Sequence, residues 1–259
     1  MKIKASSVAA VIEEFAPGIL QESWDNSGFS IGGPGKEVSS ALLALDCTPS
    51  VIEEAIESGA DMIITHHPLI FSPLKRVAGE SLIEKMVEDA IKNGIVIYSA
   101  HTNADKVLPG VSGLMAQRIG LQDTGILDPQ DESTGLGVVG NLTNQLTPAE
   151  LLTLLKERFG LNIIRHSKPI EEPVKRVALC GGSGGSLVDR AIKAGAQVLI
   201  TGDISYHKFL CEDGFMVMDI GHFESENEVL TLLKDILSKK LPTFEVRISD
   251  NNNNLIYYH

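Results

Sequence analysis

ALLALDCTPSVIEEAIESGADMIITHH, residues 41–67, decides the fold, because VALCGGSGGSLVDRAIKAGAQVLITGD, residues 177–203, repeats it without a gap. At one fixed offset Leu43, Ser50, Ala55, Ile56, Gly59, Ala60, Ile64 and Thr65 match Leu179, Ser186, Ala191, Ile192, Gly195, Ala196, Ile200 and Thr201. Each copy opens with an apolar run of strand length and a turn of small residues. A helix follows, with apolar positions at i, i+3 and i+4: Val51, Ile52, Ala55 and Ile56 in one copy, Leu187, Val188, Ala191 and Ile192 in the other. Gly59 or Gly195 stops the helix, since glycine takes the left-handed backbone of a helix end without steric cost. A second strand then ends at Thr65 or Thr201. Strand, helix and strand of these lengths make a β-α-β unit with parallel strands.

The pattern extends outward from both copies. Residues 81–92 read as a helix leading through Gly94 to the strand IVIYSA and then HTNAD, while Gly214 leads to the strand FMVMDI and then GHFESE. Between the halves LGVVGNL reads as a strand. Thr147 and Glu150 form a capping box, with Pro148 at the first position of a helix over 148–159 that Gly160 ends. LNIIRH and PTFEVRIS read as further strands, and the N-terminal segment as an amphipathic helix starting after Ser6 or Ser7. The expected fold class is α/β: two related domains with mixed sheets, arising from an internal duplication. Residues 1–126 are expected as the first domain and 127–239 as the second, with a strand in 240–259 packing back onto the first.

Composition sets the outer limits. The chain has 259 residues, 43% apolar and 22% charged, enough for a full core. Its net charge of −12 repels phosphate backbones, which disfavours duplex nucleic acid as a partner. Three cysteines with no C-x-x-C spacing argue against a disulfide framework or a thiolate zinc site. No apolar run approaches the roughly 18 residues of a membrane span, and the short N-terminal apolar stretch is broken by Glu13 and Glu14, so a cytoplasmic protein is expected.

The chemistry collects at strand ends. Five of the seven histidines, His66, His67, His101, His207 and His222, follow predicted strands, where α/β folds build their sites. Neighbouring residues in a regular strand point to opposite faces, so His66 and His67 can turn the same way only where the strand breaks, and Pro68 favours that break. Asp105, in HTNAD, reads as an oxygen ligand or as a helix cap. His222 and Glu226 are four apart, a spacing that puts both on one helix face. His101 and His207 read as ligands, supporting hydrogen-bond donors or proton carriers. Asp203 occupies the repeat position of His67. Three imidazoles and two carboxylates suit zinc, iron or manganese better than calcium or magnesium. Five ligands exceed a closed zinc site and fit two ions about 3.5–4 Å apart, with room for an acidified water.

ITHHP, SAHTNAD, TGD-x-x-x-H, GHFESE and Trp24-Asp25-Asn26-Ser27-Gly28, in that family's order along nearly the whole chain, resemble the signatures of the NIF-three-like family. Its bacterial members are often labelled GTP cyclohydrolase 1 type 2 homologues. The resemblance implies a dinuclear metal centre between two interlinked α/β domains, with ligands at His66, His67, Asp105, His222 and Glu226, and a toroidal homohexamer. It implies a metal-dependent hydrolase with a nucleotide-like substrate, the alternative being a non-enzymatic metal-binding scaffold, metallochaperone or regulatory partner. This sequence has Asp203 where the family usually has glutamate, and Asn251 to Asn254 where an Asn-Pro is common.

Overall fold

The computed structural model describes residues 2–259. The chain forms two compact units, one holding the residues up to Ala104 together with Val229–His259, the other Asp105–Glu228. In chain order unit 1 contributes β1 (Ile3–Lys4), α1 (Ala5–Phe15), β2 (Gly28–Ile31), β3 (Glu37–Val38), β4 (Ser40–Ala44), α2 (Pro49–Ser58), β5 (Met62–Thr65), α3 (Leu82–Lys92) and β6 (Val96–Ser99). The short helix α4 (Thr102–Asp105) carries the chain into unit 2. There follow α5 (Val111–Ile119), β7 (Gln122–Pro129), β8 (Gly135–Leu146), α6 (Pro148–Phe159), β9 (Arg165–His166), β10 (Val174–Ser183), α7 (Val188–Lys193), β11 (Val198–Gly202), β12 (Met216–Asp219) and α8 (His222–Glu226). The chain then returns to unit 1 as α9 (Val229–Lys240) and β13 (Glu245–Ile248).

Both aligned stretches are β-α-β units. In unit 1, β4 pairs in parallel with β5, Ala41 opposite Met62, and β5 with β6, Thr65 opposite Ser99. The sheet runs β13-β4-β5-β6-β2, with β13 parallel to β4 and β2 antiparallel to β6. In unit 2, β10, β11 and β12 are parallel within the order β7-β8-β10-β11-β12-β9, and the remaining pairings are antiparallel. This is a mixed α/β fold. The central strands are apolar throughout because both sheet faces are covered. Leu179, Ile200 and Met218 pack on one face with Leu151 and Leu155 of α6, while Ala178, Leu199 and Val217 pack on the other with Val188 and Ala191 of α7. Unit 1 closes Leu42, Ile63 and Ile97 against Val51, Ile52 and Ala55 of α2 and Met86 and Val87 of α3.

Local signals explain where most elements stop. Thr48, Ser81 and Thr147 cap α2, α3 and α6 through their side chains, and the α6 capping box is complete. Gly59 ends α2 at φ 69°. Three expectations are corrected. α1 starts at Ala5 behind Lys4, which makes no side-chain cap, because β1 delivers the chain directly into the helix. Ile56 is 40% exposed, so α2 buries a narrower stripe than its periodicity suggests. Of LNIIRH only Arg165–His166 is strand, an edge piece paired to β12 over two residues, with Ile163 left exposed.

The units divide at 104/105 and 228/229, not at the expected 126/127 and 239/240. The packing gives the reason. Val111, Met115, Ala116 and Ile119 of α5 are buried, the last three in the unit 2 core, and β7 pairs along β8 on both sides of residue 126. α9 packs on α1, β4 and β13 in unit 1. The asparagine run forms a pinned turn. Glu54 of α2 accepts from Arg247 Nη1 (2.6 Å), Ser249 Oγ (2.5 Å), the Asp250 amide (3.2 Å) and the Asn251 amide and Nδ2 (3.2 and 3.0 Å). Asn252 Oδ1 accepts from the Leu45 amide (2.8 Å). All three cysteines are free, and among the described residues no helix is long and apolar enough to cross a membrane.

Candidate metal centre

In unit 1, β5 ends at Thr65, whose hydroxyl donates to the His67 carbonyl two residues on (2.7 Å) and breaks the strand. His66 and His67 thereby turn to one side, ring centroids 5.0 Å apart. His101, two residues past β6, stands 5.2 Å from His66 and 5.4 Å from His67. One ring nitrogen of each lies within 4.8 Å of the other two. His66 is fully buried.

Each ring has its Nδ1 against an oxygen. His66 Nδ1 donates to the Ala100 carbonyl (2.8 Å), His67 Nδ1 to Asp46 Oδ1 (2.9 Å) and His101 Nδ1 to Asp25 Oδ1 (2.7 Å). A carbonyl or carboxylate oxygen only accepts, so the proton sits on Nδ1 and Nε2 presents the lone pair. Asp25 is itself anchored, accepting from the Ser27 hydroxyl (2.8 Å), the Thr102 amide (3.1 Å) and the Thr102 hydroxyl (2.5 Å). Burial works to raise its pKa, but these bonds and His101 outweigh that and hold the carboxyl well below the usual range.

In unit 2, β12 leads through Gly221, at φ 93°, into α8. His222 Nδ1 donates to Asp203 Oδ2 (2.9 Å), and His222 Nε2 lies 3.0 Å from Glu226 Oε2. Glu226 is buried, and a carboxylate oxygen of Asp105 lies within 4.8 Å of one of Glu226. At an effective dielectric of about 20, two such charges repel by at least about 3 kcal/mol, a cost that a cation removes. Both charges, after burial itself, push the Cys180 thiol up out of its ordinary range, so Cys180 serves the core as an inert small residue. Ser225 Oγ accepts from the Gly182 amide (2.9 Å) and donates to the His222 carbonyl (2.7 Å), tying α8 to the end of β10.

Gly182 stands at φ 61°, and a Cβ there would overlap the Glu226 carboxylate. Gly182→Ala is therefore expected to weaken metal binding at least tenfold by displacing Glu226, with about 1–2 kcal/mol of added backbone strain. Calorimetric zinc titration beside a urea melt checks both; unchanged zinc affinity would show that Glu226 has no part in it.

The residues expected at the site fall into two groups. His66, His67 and His101 cluster in unit 1; Asp105, Asp203, His222 and Glu226 gather in unit 2. Asp203 acts as the acceptor that orients His222, from a left-handed backbone (φ 49°) that aspartate tolerates. His207 joins neither group among the described residues; it is exposed, its ring 5.4 Å from that of Tyr206. Asp25 and Asp46 are the positions that sequence reasoning missed. Each stands where its carboxylate orients an imidazole 76 or 21 residues away, a pairing with no local signature. The donor set fits a borderline divalent metal: imidazole Nε2 lone pairs with Nδ1 held by oxygen, beside paired carboxylates, is the wiring of metal-binding histidines.

Comparison with known proteins agrees with this architecture. The family model for Duf34/NIF3 (NGG1p interacting factor 3) matches residues 3–254. A Clostridium perfringens relative named "GTP cyclohydrolase 1 type 2 homolog" is 38% identical, over 92% of this chain and 93% of its own length. A hypothetical protein from Staphylococcus aureus, known from its crystal structure, superposes with a TM-score of 0.91 at 28% identity, covering all of both chains. A Bacillus cereus protein described as related to NIF3 shares the fold, with a TM-score of 0.89 at 24% identity over 99% of each chain. With the match running almost end to end, the chain belongs to the Duf34/NIF3 family.

Proposed function

We propose that His66, His67, Asp105, His222 and Glu226 hold two divalent ions of zinc, iron or manganese, and that the protein is a metal-dependent hydrolase acting on a nucleotide-like substrate. The observation that carries this reading is the shared histidine wiring: in His66, His67, His101 and His222 alike, Nδ1 lies against an oxygen acceptor, which favours the tautomer that ligates or takes a proton through Nε2. The relatives' name supports a nucleotide-like substrate. The aligned β-α-β units support an internal duplication. Three free cysteines, Cys47 and Cys180 among them buried, accord with a cytoplasmic protein, and the toroidal homohexamer is retained as the assembly to test.

Bound ions would supply an acidified water and polarise the bond it attacks. The chain's own residues do the rest. Asp46 and Asp203 keep His67 and His222 in the ligating tautomer. His101 Nε2 is set to take a proton while Asp25 stabilises the imidazolium through Nδ1. His207, exposed on its turn, is retained as a second proton carrier.

The test is a panel of nucleotides incubated with metal-depleted and metal-reloaded protein, products read by chromatography. Turnover that appears only after reloading supports the hydrolase. Stoichiometric metal binding with no turnover of any nucleotide favours the scaffold.

A further inference from the structure

The WDNSG segment, residues 24–28, contributes Asp25 to the histidine cluster, but its tryptophan has no part in that wiring. Trp24 is 58% exposed and Phe71 53% exposed, and their rings lie 5.8 Å apart at 50°. Both meet the edge of His101, at 6.1 Å and 6.4 Å. Burying rings of this size is worth about 2–3 kcal/mol each, so leaving two side by side in water forgoes stability.

Their frame is rigid. The Asp25 side chain is fully buried and holds His101, Thr102 and Ser27. Asn26 Nδ2 donates to the Ile70 carbonyl (2.6 Å), which joins the loop of Trp24 to that of Phe71. Two aromatic faces, preorganised and open to solvent at the rim of an imidazole cluster, match one occupant: a flat heteroaromatic ring carried by whatever reacts at the cluster.

We propose that Trp24 and Phe71 form a stacking platform that binds the base of a nucleotide substrate beside His101. This rests on the nucleotide reading above and adds the residues that recognise the base. Stacking on aromatic side chains binds any base through its π-face and leaves the phosphate to other groups.

Trp24 is the chain's single tryptophan, so its fluorescence reports on the platform alone. The purified metal-loaded protein is titrated with guanosine, GMP and ribose 5-phosphate. The platform predicts saturable quenching by guanosine and GMP and none by ribose 5-phosphate. Calorimetry then compares wild type, Trp24→Phe, Trp24→Ala and Phe71→Ala, with circular dichroism as the check on folding. Trp24→Ala is expected to weaken GMP about 5- to 100-fold, Phe71→Ala to weaken it measurably, and Trp24→Phe to keep most of the affinity. Absence of quenching by both guanosine and GMP overturns the platform, as does a GMP Kd within twofold of wild type in Trp24→Ala. The hydrolase reading fails separately: quenching without turnover leaves the platform standing as a binding site, and turnover with an unchanged KM in Trp24→Ala removes the platform alone.

Discussion

Glu226→Ala protein, purified and reloaded with metal, is expected to carry at most one ion per chain, against the two expected of wild type. Glu226 is a buried carboxylate 3.0 Å from His222 Nε2, with an oxygen of Asp105 close by. Removing it would take away a proposed charged ligand and leave a cavity where water is a weaker donor. Changing a supporting group usually costs 10- to 100-fold in metal affinity, so losing a direct ligand is expected to cost more than about 100-fold. His67→Ala should behave alike from the other unit. Asp46→Asn keeps the ligand but loses the carboxylate that fixes its tautomer, and is expected in the 10- to 100-fold range. His207→Ala, altered on an exposed turn and in neither ligand group, should keep full metal content. Metal analysis by mass spectrometry after dialysis reads all four, and full occupancy in both Glu226→Ala and His67→Ala would rule out the proposed ligand set.

The largest stability effect outside the core is expected at Glu54. Its side chain is 11% exposed and receives five hydrogen bonds from Arg247, Ser249, Asp250 and Asn251. Burial pushes its pKa up, but the bonds from Ser249, Asn251 and Asp250 outweigh burial and bring it from an ordinary 4.5 down to about 2. A lowered folded-state value contributes stability above the unfolded value and loses it as the pH falls through the folded one. The full contribution, about 3 kcal/mol at 1.36 kcal/mol per pH unit, is present above pH 4.5 and fades between 4.5 and 2. Glu54→Gln is therefore expected to lower the urea midpoint strongly at pH 7. The gap to wild type should shrink as the pH drops from 4.5 towards 2. A gap that stays constant over that range would mean that Glu54 acts through packing and not through its charge.

Much of the fold is legible in the amino-acid sequence. The matched stretches are β-α-β units because strand length, helix periodicity and terminal glycines are all local signals, and they agree with one another. His66 and His67 could be placed at a strand break because two adjacent side chains cannot otherwise share a side. His222 and Glu226 could be paired because their spacing is helical. What stayed hidden is non-local. The Asp46–His67, Asp25–His101 and Asp203–His222 pairs depend on which strand ends the sheets bring together. The unit boundaries stayed hidden for the same reason: α5 and β7 follow a histidine motif of unit 1, yet pack into the core of unit 2. LNIIRH illustrates the opposite error, an apolar run that finds a sheet edge for only two residues.

Anomalous diffraction from crystals of the metal-loaded wild-type protein, collected on either side of the bound metal's absorption edge, locates the proposed ions and their ligands. Two peaks about 3.5–4 Å apart, ligated by His66, His67, Asp105, His222 and Glu226, are predicted. A single peak held by His66, His67 and His101 alone, or no peak at these residues, would contradict the proposed centre.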